Sequence, residues 1–139
     1  MKKGQPVAKI LMVDDNDDLL LLVGARLRSN GYEVVTASNG ETAIKLALRE
    51  KPALILLDMG LPDLDGCAVC RRLKSEVSIR EIPIIVMSAN SRQVDKDQAA
   101  ECGAEGYMAK PCDPGSLLEG IGSLLERRTP HVTANSNCG

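Results

Sequence analysis

Several polar residues in this chain come directly after runs of apolar residues. Asp14 and Asp15 follow "KILMV", Asp58 follows "LILL", Ser88 follows "IPIIVM", and Lys110 follows "YMA". Carboxylates that crowd together repel by on the order of 1–4 kcal/mol per pair at surface-like dielectric, so they stay ionised together only around a cation. Oxygen ligands with open positions favour Mg²⁺. A magnesium site is therefore the chemistry that these acids indicate.

Lys110 and the turn after Asp58 indicate that the site could also bind a phosphoryl group. A metal ion and the Lys110 ammonium would together hold the oxygens of a phosphoryl group, and a carboxylate such as Asp58 can attack phosphorus to form an acyl phosphate. In the turn "MGLPDLDG", the Gly60 carbonyl is a candidate third protein ligand for the cation. Taken singly, each residue has an ordinary alternative as a loop, cap, strand-end or surface residue. Their joint placement favours the functional interpretation.

Strand-length apolar runs alternate with segments of helical period along the chain. The pattern predicts strands at 9–13, 32–37, 53–57, 82–89 and 106–109. It predicts helices at 17–29, 39–50, 66–74, 91–102 and from 114 to about 128. Asn16 or Asp17 would cap the first helix, Asn30 and Gly31 would end it, and Pro114 would open the last.

Several of the predicted strands are apolar throughout rather than alternating, which is typical of burial on both faces of a parallel sheet. Five strand–helix units and the right-handed crossover rule predict a doubly wound α/β sandwich with helices on both faces. Ligands of such sheets bind at the carboxyl ends of the strands, where the strand order reverses. If the first and third strands are neighbours, all the polar residues above meet at one rim. We expect one domain over 8–128, a lead-in at 1–7 and a loose polar tail at 129–139.

Composition restricts the class of protein. The chain has 139 residues, is 44% hydrophobic and carries a net charge of -2, which is typical of a single soluble globular domain. It has no basic block, no Phe and no Trp, so a phosphate-tracking groove or base-stacking platform is not expected. Neither a membrane-length apolar run nor the apolar core of a secretion signal is present. We therefore expect a cytoplasmic protein that binds neither nucleic acid nor membrane directly.

Cysteine occurs at five positions, 67, 70, 102, 112 and 138. An odd number without a secretion signal argues against a disulfide framework. Cys67 and Cys70 form a C-x-x-C, for which a redox motif or half a zinc site is the alternative. Because no second C-x-x-C or histidine pair completes a metal site, we favour two small apolar residues on one face of the third helix.

The motifs, taken in order, resemble the receiver domain of bacterial two-component response regulators. The matching segments are "VDDND" after the first predicted strand, "LLDMGLPDLDG" after the third, "VMSA" after the fourth and "YMAKP" after the fifth. The resemblance spans about residues 8–128. It implies a flavodoxin-like, five-stranded parallel sheet of order 2-1-3-4-5 with five helices, the order of the chemotaxis regulator of this family.

The resemblance also implies roles for the site residues. Asp58 would be the phosphoacceptor, taking the phosphoryl group from a phosphohistidine of a histidine kinase or phosphotransfer protein. Asp15 would bind Mg²⁺ directly, Asp14 would act mostly through water, and Gly60 would give its carbonyl. Lys110 would contact the phosphoryl group, and the bond from Lys110 to Pro111 would be cis. Such a protein catalyses its own phosphorylation and dephosphorylation but is not a turnover enzyme.

A conformational switch is implied as well. Ser88 would reorient to hydrogen-bond the new phosphate, and Tyr107 would be the aromatic residue that follows it inwards. Ser88 stands where the family more usually has threonine, so the switch would be less tightly gated. Phosphorylation adds roughly -1.5 to -2 charges and would reshape residues 89–108 for a downstream protein target. The predicted helix 91–102 has few apolar anchors, so we expect it to be loosely held.

Two other classes of protein are alternatives to the receiver domain. A Mg²⁺-dependent phosphatase of the haloacid-dehalogenase type also uses an aspartyl nucleophile, but places it in a D-x-D pattern after the first strand. A flavodoxin would share the fold, but this chain lacks the phosphate-binding loop after the first strand and the aromatic residues that would sandwich a flavin.

The first predicted helix has one exposed leucine that needs an explanation. Leu19, Leu20, Val23 and Leu27 share one face at about 100° per residue, whereas Leu21 projects away. We favour an ordinary exposed leucine; a kinase-docking or homodimer contact is the alternative. We expect a stand-alone receiver, although an excised domain would look the same.

Overall fold

The structure is a computed structural model that describes residues 8–88, 93–110 and 113–127, with residues 93–96 and 127 described through the backbone alone. The strands are β1 (Lys9–Val13), β2 (Glu33–Ala37), β3 (Leu54–Asp58), β4 (Ile84–Ser88) and β5 (Gly106–Ala109). The helices are α1 (Asp17–Ser29), α2 (Gly40–Glu50), α3 (Gly66–Lys74), α4 (Gln93–Glu101) and α5 (Pro114–Arg127). Every predicted element is confirmed, and the described boundaries differ from the predicted ones by at most two residues; the predicted ends at 89, 91–92 and 128 lie outside the described residues.

The five strands form one parallel sheet of order β2-β1-β3-β4-β5, which confirms the predicted fold. The register pairs Val13 with Leu57, Asp58 with Met87, and Ser88 with Ala109. The carboxyl ends of the central strands therefore lie nearly level with one another. Strand order reverses between β1 and β3, so the rim above these two strands is the expected ligand site.

The sheet is buried on both faces because consecutive strand residues pack into different cores. In β1, Leu11 and Val13 belong to one apolar cluster, and Ile10 and Met12 belong to the other. The same alternation continues in β3 and β4. This is the two-residue period of a strand with apolar residues on both sides, as the near-continuous apolar runs predicted.

Helices cover both faces of the sheet. The first cluster takes its helical residues from α2, α3 and α4, and the second takes them from α1 and α5. Side-chain oxygens cap the N-termini of α1 and α2. Asn16 accepts from the Leu19 amide at 3.1 Å, and Asn39 accepts from the Thr42 amide at 2.8 Å. Among the helices that the structure describes, none has the length and apolarity of a membrane span.

The predicted faces of α1 are confirmed. The four residues assigned to the inward face are buried or half-buried, and Leu21 is 68% exposed. Leu22 is also exposed, at 70%, although the sequence did not single it out. An exposed leucine pair is compatible with docking but does not establish it, so the kinase or homodimer contact stays a prediction.

The prediction against disulfides was wrong for Cys67 and Cys102. A disulfide joins Cys67 of α3 to Cys102, which directly follows α4, with Cα atoms 5.6 Å apart. The pair is separated by 35 positions in sequence and meets only because α3 and the end of α4 pack on the same face of the sheet. Cys70 is a free, buried cysteine, as the apolar interpretation of the C-x-x-C predicted.

Candidate phosphoacceptor and metal site

Three carboxylates meet at the rim above β1 and β3. Asp14 and Asp15 follow β1, Asp58 is the last residue of β3, and these strands are direct neighbours. One oxygen from each carboxylate lies within 4.8 Å of the others. Asp14 is 1% exposed and Asp58 is 6% exposed, whereas Asp15 faces solvent. Two acids that are unusually buried for aspartate therefore sit beside one that is open to ligands.

Backbone hydrogen bonds that continue the sheet beyond the strand ends hold the site residues in place. The Asp14 amide donates to the Ala37 carbonyl at 3.0 Å, and the amide of Met59, next to Asp58, donates to the Met87 carbonyl at 2.9 Å. The Lys110 amide donates to the Ser88 carbonyl at 2.7 Å. The strands thus fix the positions of site residues that lie at or just beyond their carboxyl ends.

Lys110 bridges the two buried carboxylates. Its Nζ donates to Asp14 Oδ2 at 2.7 Å and lies 3.2 Å from Asp58 Oδ1. Asp14 Oδ1 accepts from the Asn16 amide at 2.9 Å, so both oxygens of Asp14 are engaged within the protein. One ammonium faces two buried carboxylates, so these three groups carry a net charge of -1 when ionised, before the charge of exposed Asp15 is counted.

The pKa values follow from this imbalance. Burial raises the pKa of the Asp58 carboxyl, and the Asp14 charge raises it further, which outweighs Lys110 and the Gly60 amide. Burial alone would lower the pKa of Lys110, but its bond to Asp14 and the charge of Asp58 raise that pKa overall. Asp58 is thus a relatively basic carboxylate held beside a firmly protonated amine.

The turn between Asp58 and α3 is built tightly against the acceptor. The Gly66 amide donates to the Met59 carbonyl at 3.0 Å, and Gly60 pairs with Asp65 in an isolated bridge. A Cβ atom at Gly66 would lie only 2.7 Å from the Asp58 carbonyl oxygen. Gly60 is exposed at the rim, and its amide acts to lower the pKa of the Asp58 carboxyl; the ligand role of its carbonyl stays a prediction.

Asp63 has a role that the sequence interpretation missed. Its carboxylate accepts from the amides of Gly40 at 2.7 Å and Glu41 at 3.1 Å, at the start of α2. The Gly40 bond is the main reason that the pKa of Asp63 is lowered. Asp63 therefore ties the turn after Asp58 to a neighbouring helix. The available signal was the Asn39–Gly40 helix start, whose free amides need acceptors.

The two predicted switch residues occupy the neighbouring strands. Ser88 ends β4 and is 6% exposed, and Tyr107 lies in β5, half-buried against the apolar cluster that includes Val86. Pro111 lies outside the described residues, and so does the predicted cis peptide bond. Ala89 and Asn90, at the start of the predicted responsive segment 89–108, are also outside them.

The residues present fit a hard divalent cation. The donors are carboxylate oxygens from Asp14, Asp15 and Asp58, close enough to share one ion, and Asp15 leaves the site open to water. Mg²⁺ prefers such oxygen ligands and keeps several waters. The excess of buried negative charge gives the cation a further electrostatic reason to bind.

Fold and site together define a doubly wound, flavodoxin-like domain with an acidic pocket at its topological switch point. The chain matches the family model "Response regulator receiver domain" over residues 10–122. It therefore belongs to the receiver domain family of two-component response regulators. A receiver domain is a phosphoacceptor signalling domain, and this match favours that class over the phosphatase alternative.

Curated relatives are similar over most of this chain but are longer. The alkaline phosphatase synthesis transcriptional regulatory protein PhoP of Bacillus subtilis is 41% identical over 119 residues, which cover 86% of this chain and 49% of PhoP. The response regulator PleD of Caulobacter vibrioides is 40% identical over 84% of this chain and 26% of PleD. This chain thus spans about half the length of PhoP and about a quarter of PleD.

Solved structures share the fold. A putative response regulator from Chloroflexus aurantiacus superposes with a TM-score of 0.83 at 31% identity, covering 86% of this chain and 98% of that one. The receiver domain of the sensor histidine kinase PA1611 from Pseudomonas aeruginosa gives a TM-score of 0.77 at 34% identity, covering 88% and 97%. That structure is described as having a magnesium ion coordinated in its active site cleft.

Proposed function

We propose that Asp58 is the residue that accepts the phosphoryl group, and that its donor is a phosphohistidine of a histidine kinase or phosphotransfer protein. A carboxylate oxygen of Asp58 attacks phosphorus, the phosphorus–nitrogen bond breaks, and its electron pair stays on the imidazole nitrogen. The product is an acyl phosphate on Asp58. The observation that carries this proposal is the placement of Asp58 within 4.8 Å of two other carboxylate oxygens and 3.2 Å from Lys110.

Lys110 is the proposed contact for the incoming phosphoryl oxygens. Its ammonium already lies between Asp14 and Asp58, so it needs little movement to meet charge that appears on Asp58. Keeping its bond to Asp14 would hold it in place during transfer. This is preorganised electrostatic stabilisation, which costs little reorganisation when the charge arrives.

Mg²⁺ is the proposed cofactor, held by Asp14, Asp15, Asp58 and the Gly60 carbonyl. When bound, it would neutralise charge on the phosphoryl oxygens. Exposed Asp15 suits direct coordination. Asp14, whose two oxygens are engaged by Lys110 and Asn16, suits contact through water. The PA1611 receiver domain with magnesium in its cleft supports the same choice of ion.

The proposed output is a change of surface rather than release of a product. Ser88 ends β4 and Tyr107 lies in β5, the neighbouring strand, and the proposal is that these two residues pass the new charge to residues 89–108. A downstream protein would read that surface. Self-catalysed phosphorylation and dephosphorylation, the domain limits 8–128, a homodimer and a cytoplasmic location all stay predictions.

Labelling with a small phosphodonor tests the proposal. The purified protein is incubated with acetyl phosphate and Mg²⁺, and its intact mass is measured. We expect one labile phosphoryl group, absent in Asp58→Asn and absent when the metal is chelated. Asp18→Asn, which removes an exposed acid of α1, is the matched control and should label normally. Equal labelling of Asp58→Asn and wild type would overturn the assignment.

A further inference from the structure

The disulfide links two regions that the phosphoryl chemistry also involves. At one end, Cys67 is the second residue of α3, and α3 begins at Gly66, which lies against the Asp58 backbone. At the other end, Cys102 directly follows α4. Both cysteines are 3% exposed, and their Cα separation of 5.6 Å is typical of a disulfide. A covalent bond therefore connects the acceptor turn to the helix of the predicted responsive segment.

Non-covalent packing holds the end of α4 only weakly. Among the side chains described from 97 to 101, Ala99 alone is buried. An alanine methyl contributes little apolar area, and the hydrophobic free energy of burial scales with area. Cys102 is the next buried residue, so the disulfide supplies much of what fixes this end of the helix.

The same environment accommodates the reduced pair. Cys67 Sγ lies 3.9 Å from the Gln98 carbonyl oxygen, which gives a Cys67 thiol an acceptor in α4. A buried Cys102 thiol would behave as a small apolar side chain. Burial raises the pKa of the Cys70 thiol to about 11, so Cys70 stays protonated at neutral pH.

We propose that Cys67 and Cys102 form a reversible thiol–disulfide couple that tethers the end of α4 to the start of α3 when oxidised and releases it when reduced. The oxidant is a low-molecular-weight disulfide. One cysteine thiolate attacks it and expels one small thiol; the second cysteine then attacks the mixed disulfide and expels the other. The protein loses two thiol hydrogens and the small disulfide becomes two thiols. In reducing compartments, protein disulfides are usually transient and redox-sensing.

The couple is independent of phosphoryl acceptance, and so is its test. A chain in which Cys112 and Cys138 are replaced by serine is equilibrated in oxidised or reduced glutathione. Free thiols are counted by alkylation and intact mass, and amide hydrogen exchange is followed over 97–104. Oxidation should remove two reactive thiols and slow exchange in that segment by about tenfold or more, since local opening sets exchange rates.

Variants separate the proposed pair from other causes. Cys67→Ser and Cys102→Ser should each abolish both redox effects, whereas Cys70→Ala should keep them. If Cys67→Ser fails to fold, Cys102→Ser and the comparison of the two redox states still decide the matter. An unchanged thiol count after oxidation, or equal exchange of 97–104 in both redox states, would overturn the proposal. A protein that cannot be phosphorylated would leave these outcomes unaffected.

Discussion

At the scale of single residues, the site depends on one ammonium shared by two buried carboxylates. Asp14 and Asp58 are nearly inaccessible to solvent, and Lys110 contacts both. Breaking a buried ion pair by removing one partner leaves an uncompensated charge. The free energy of unfolding should therefore respond to Lys110 more strongly than to lysines on the surface.

We predict that Lys110→Met lowers the free energy of unfolding by about 3 kcal/mol in the absence of metal, because Asp14 is left buried without its cation. Millimolar Mg²⁺ should restore part of the loss, since a divalent ion can replace the missing charge. Urea denaturation with and without Mg²⁺ measures both effects. Lys45→Met, at an exposed position of α2, is the control. Equal losses for the two variants would refute the prediction.

A second residue-scale prediction concerns pH. The pKa of Asp58 is raised in the folded state by burial and by Asp14, so folding disfavours its charged form. Without metal, Asp58→Asn should be more stable than wild type at pH 7, by on the order of 1 kcal/mol. The wild type recovers stability as the pH falls through the folded pKa of Asp58 towards the usual 3.8.

Thermal unfolding of wild type and Asp58→Asn from pH 7 down to about 4 measures this difference. The advantage of the variant should shrink steadily as the pH falls. A difference that grows towards low pH would mean that the native Asp58 carboxylate is stabilised by its surroundings, contrary to the account. Adding Mg²⁺ at pH 7 should raise the melting temperature of wild type more than that of the variant.

At the scale of elements, the start of α3 packs closely against the backbone at the end of β3. A Cβ atom at Gly66 would lie 2.6 Å from the Met59 Cα atom and 2.7 Å from the Asp58 carbonyl oxygen. Both neighbours are backbone atoms, which cannot rotate away as a side chain can. We predict that Gly66→Ala destabilises the fold by about 2 kcal/mol, as overpacked sites do, and slows phosphorylation by displacing Asp58.

Gly60 provides the matched control for Gly66, in the same turn. Nothing lies within 4 Å of a Cβ atom built there. Gly60→Ala should change stability by no more than about 0.5 kcal/mol. Urea denaturation compares the stability of the two variants. Similar behaviour of both would mean that the close approach of α3 does not matter.

Elements are also where the sequence was most informative. Apolar runs without alternation indicated strands buried on both faces, and β1, β3 and β4 are buried in this way. The polar residues after these runs indicated one rim, because parallel strands all end on the same side. The Asp63 contact with α2 and the Cys67–Cys102 bond were not predicted. Both depend on how separate helices pack, which periodicity along one segment does not encode.

At the scale of the whole molecule, phosphorylation at the rim is expected to change the β4–α4–β5 face. Occupying Asp58 with a phosphoryl mimic such as beryllium fluoride should alter amide hydrogen exchange in 93–108. The buried strand β1, which lies between β2 and β3, should keep its protection. Changes confined to β2 and α2 would contradict the proposed route. Asp58→Asn should show no response to the mimic.

The exposed leucines of α1 illustrate what sequence alone left open at this scale. The exposure of Leu21 followed from helical geometry, whereas that of Leu22 was not predicted. The partner that would contact this face cannot be predicted from this sequence, because it depends on the surface of a second protein. The site residues could be predicted, because the site is formed entirely by groups from this chain.

The most direct test of the central claim is to locate the phosphoryl group. After acetyl phosphate labelling with Mg²⁺, hydroxylamine displaces phosphate from an acyl phosphate and leaves a hydroxamate, which peptide fragmentation can assign to one residue. The account predicts a hydroxamate at Asp58 and at no other acid of the turn or rim. A hydroxamate on Asp14, Asp15, Asp63 or Asp65, with Asp58 unmodified, would contradict it.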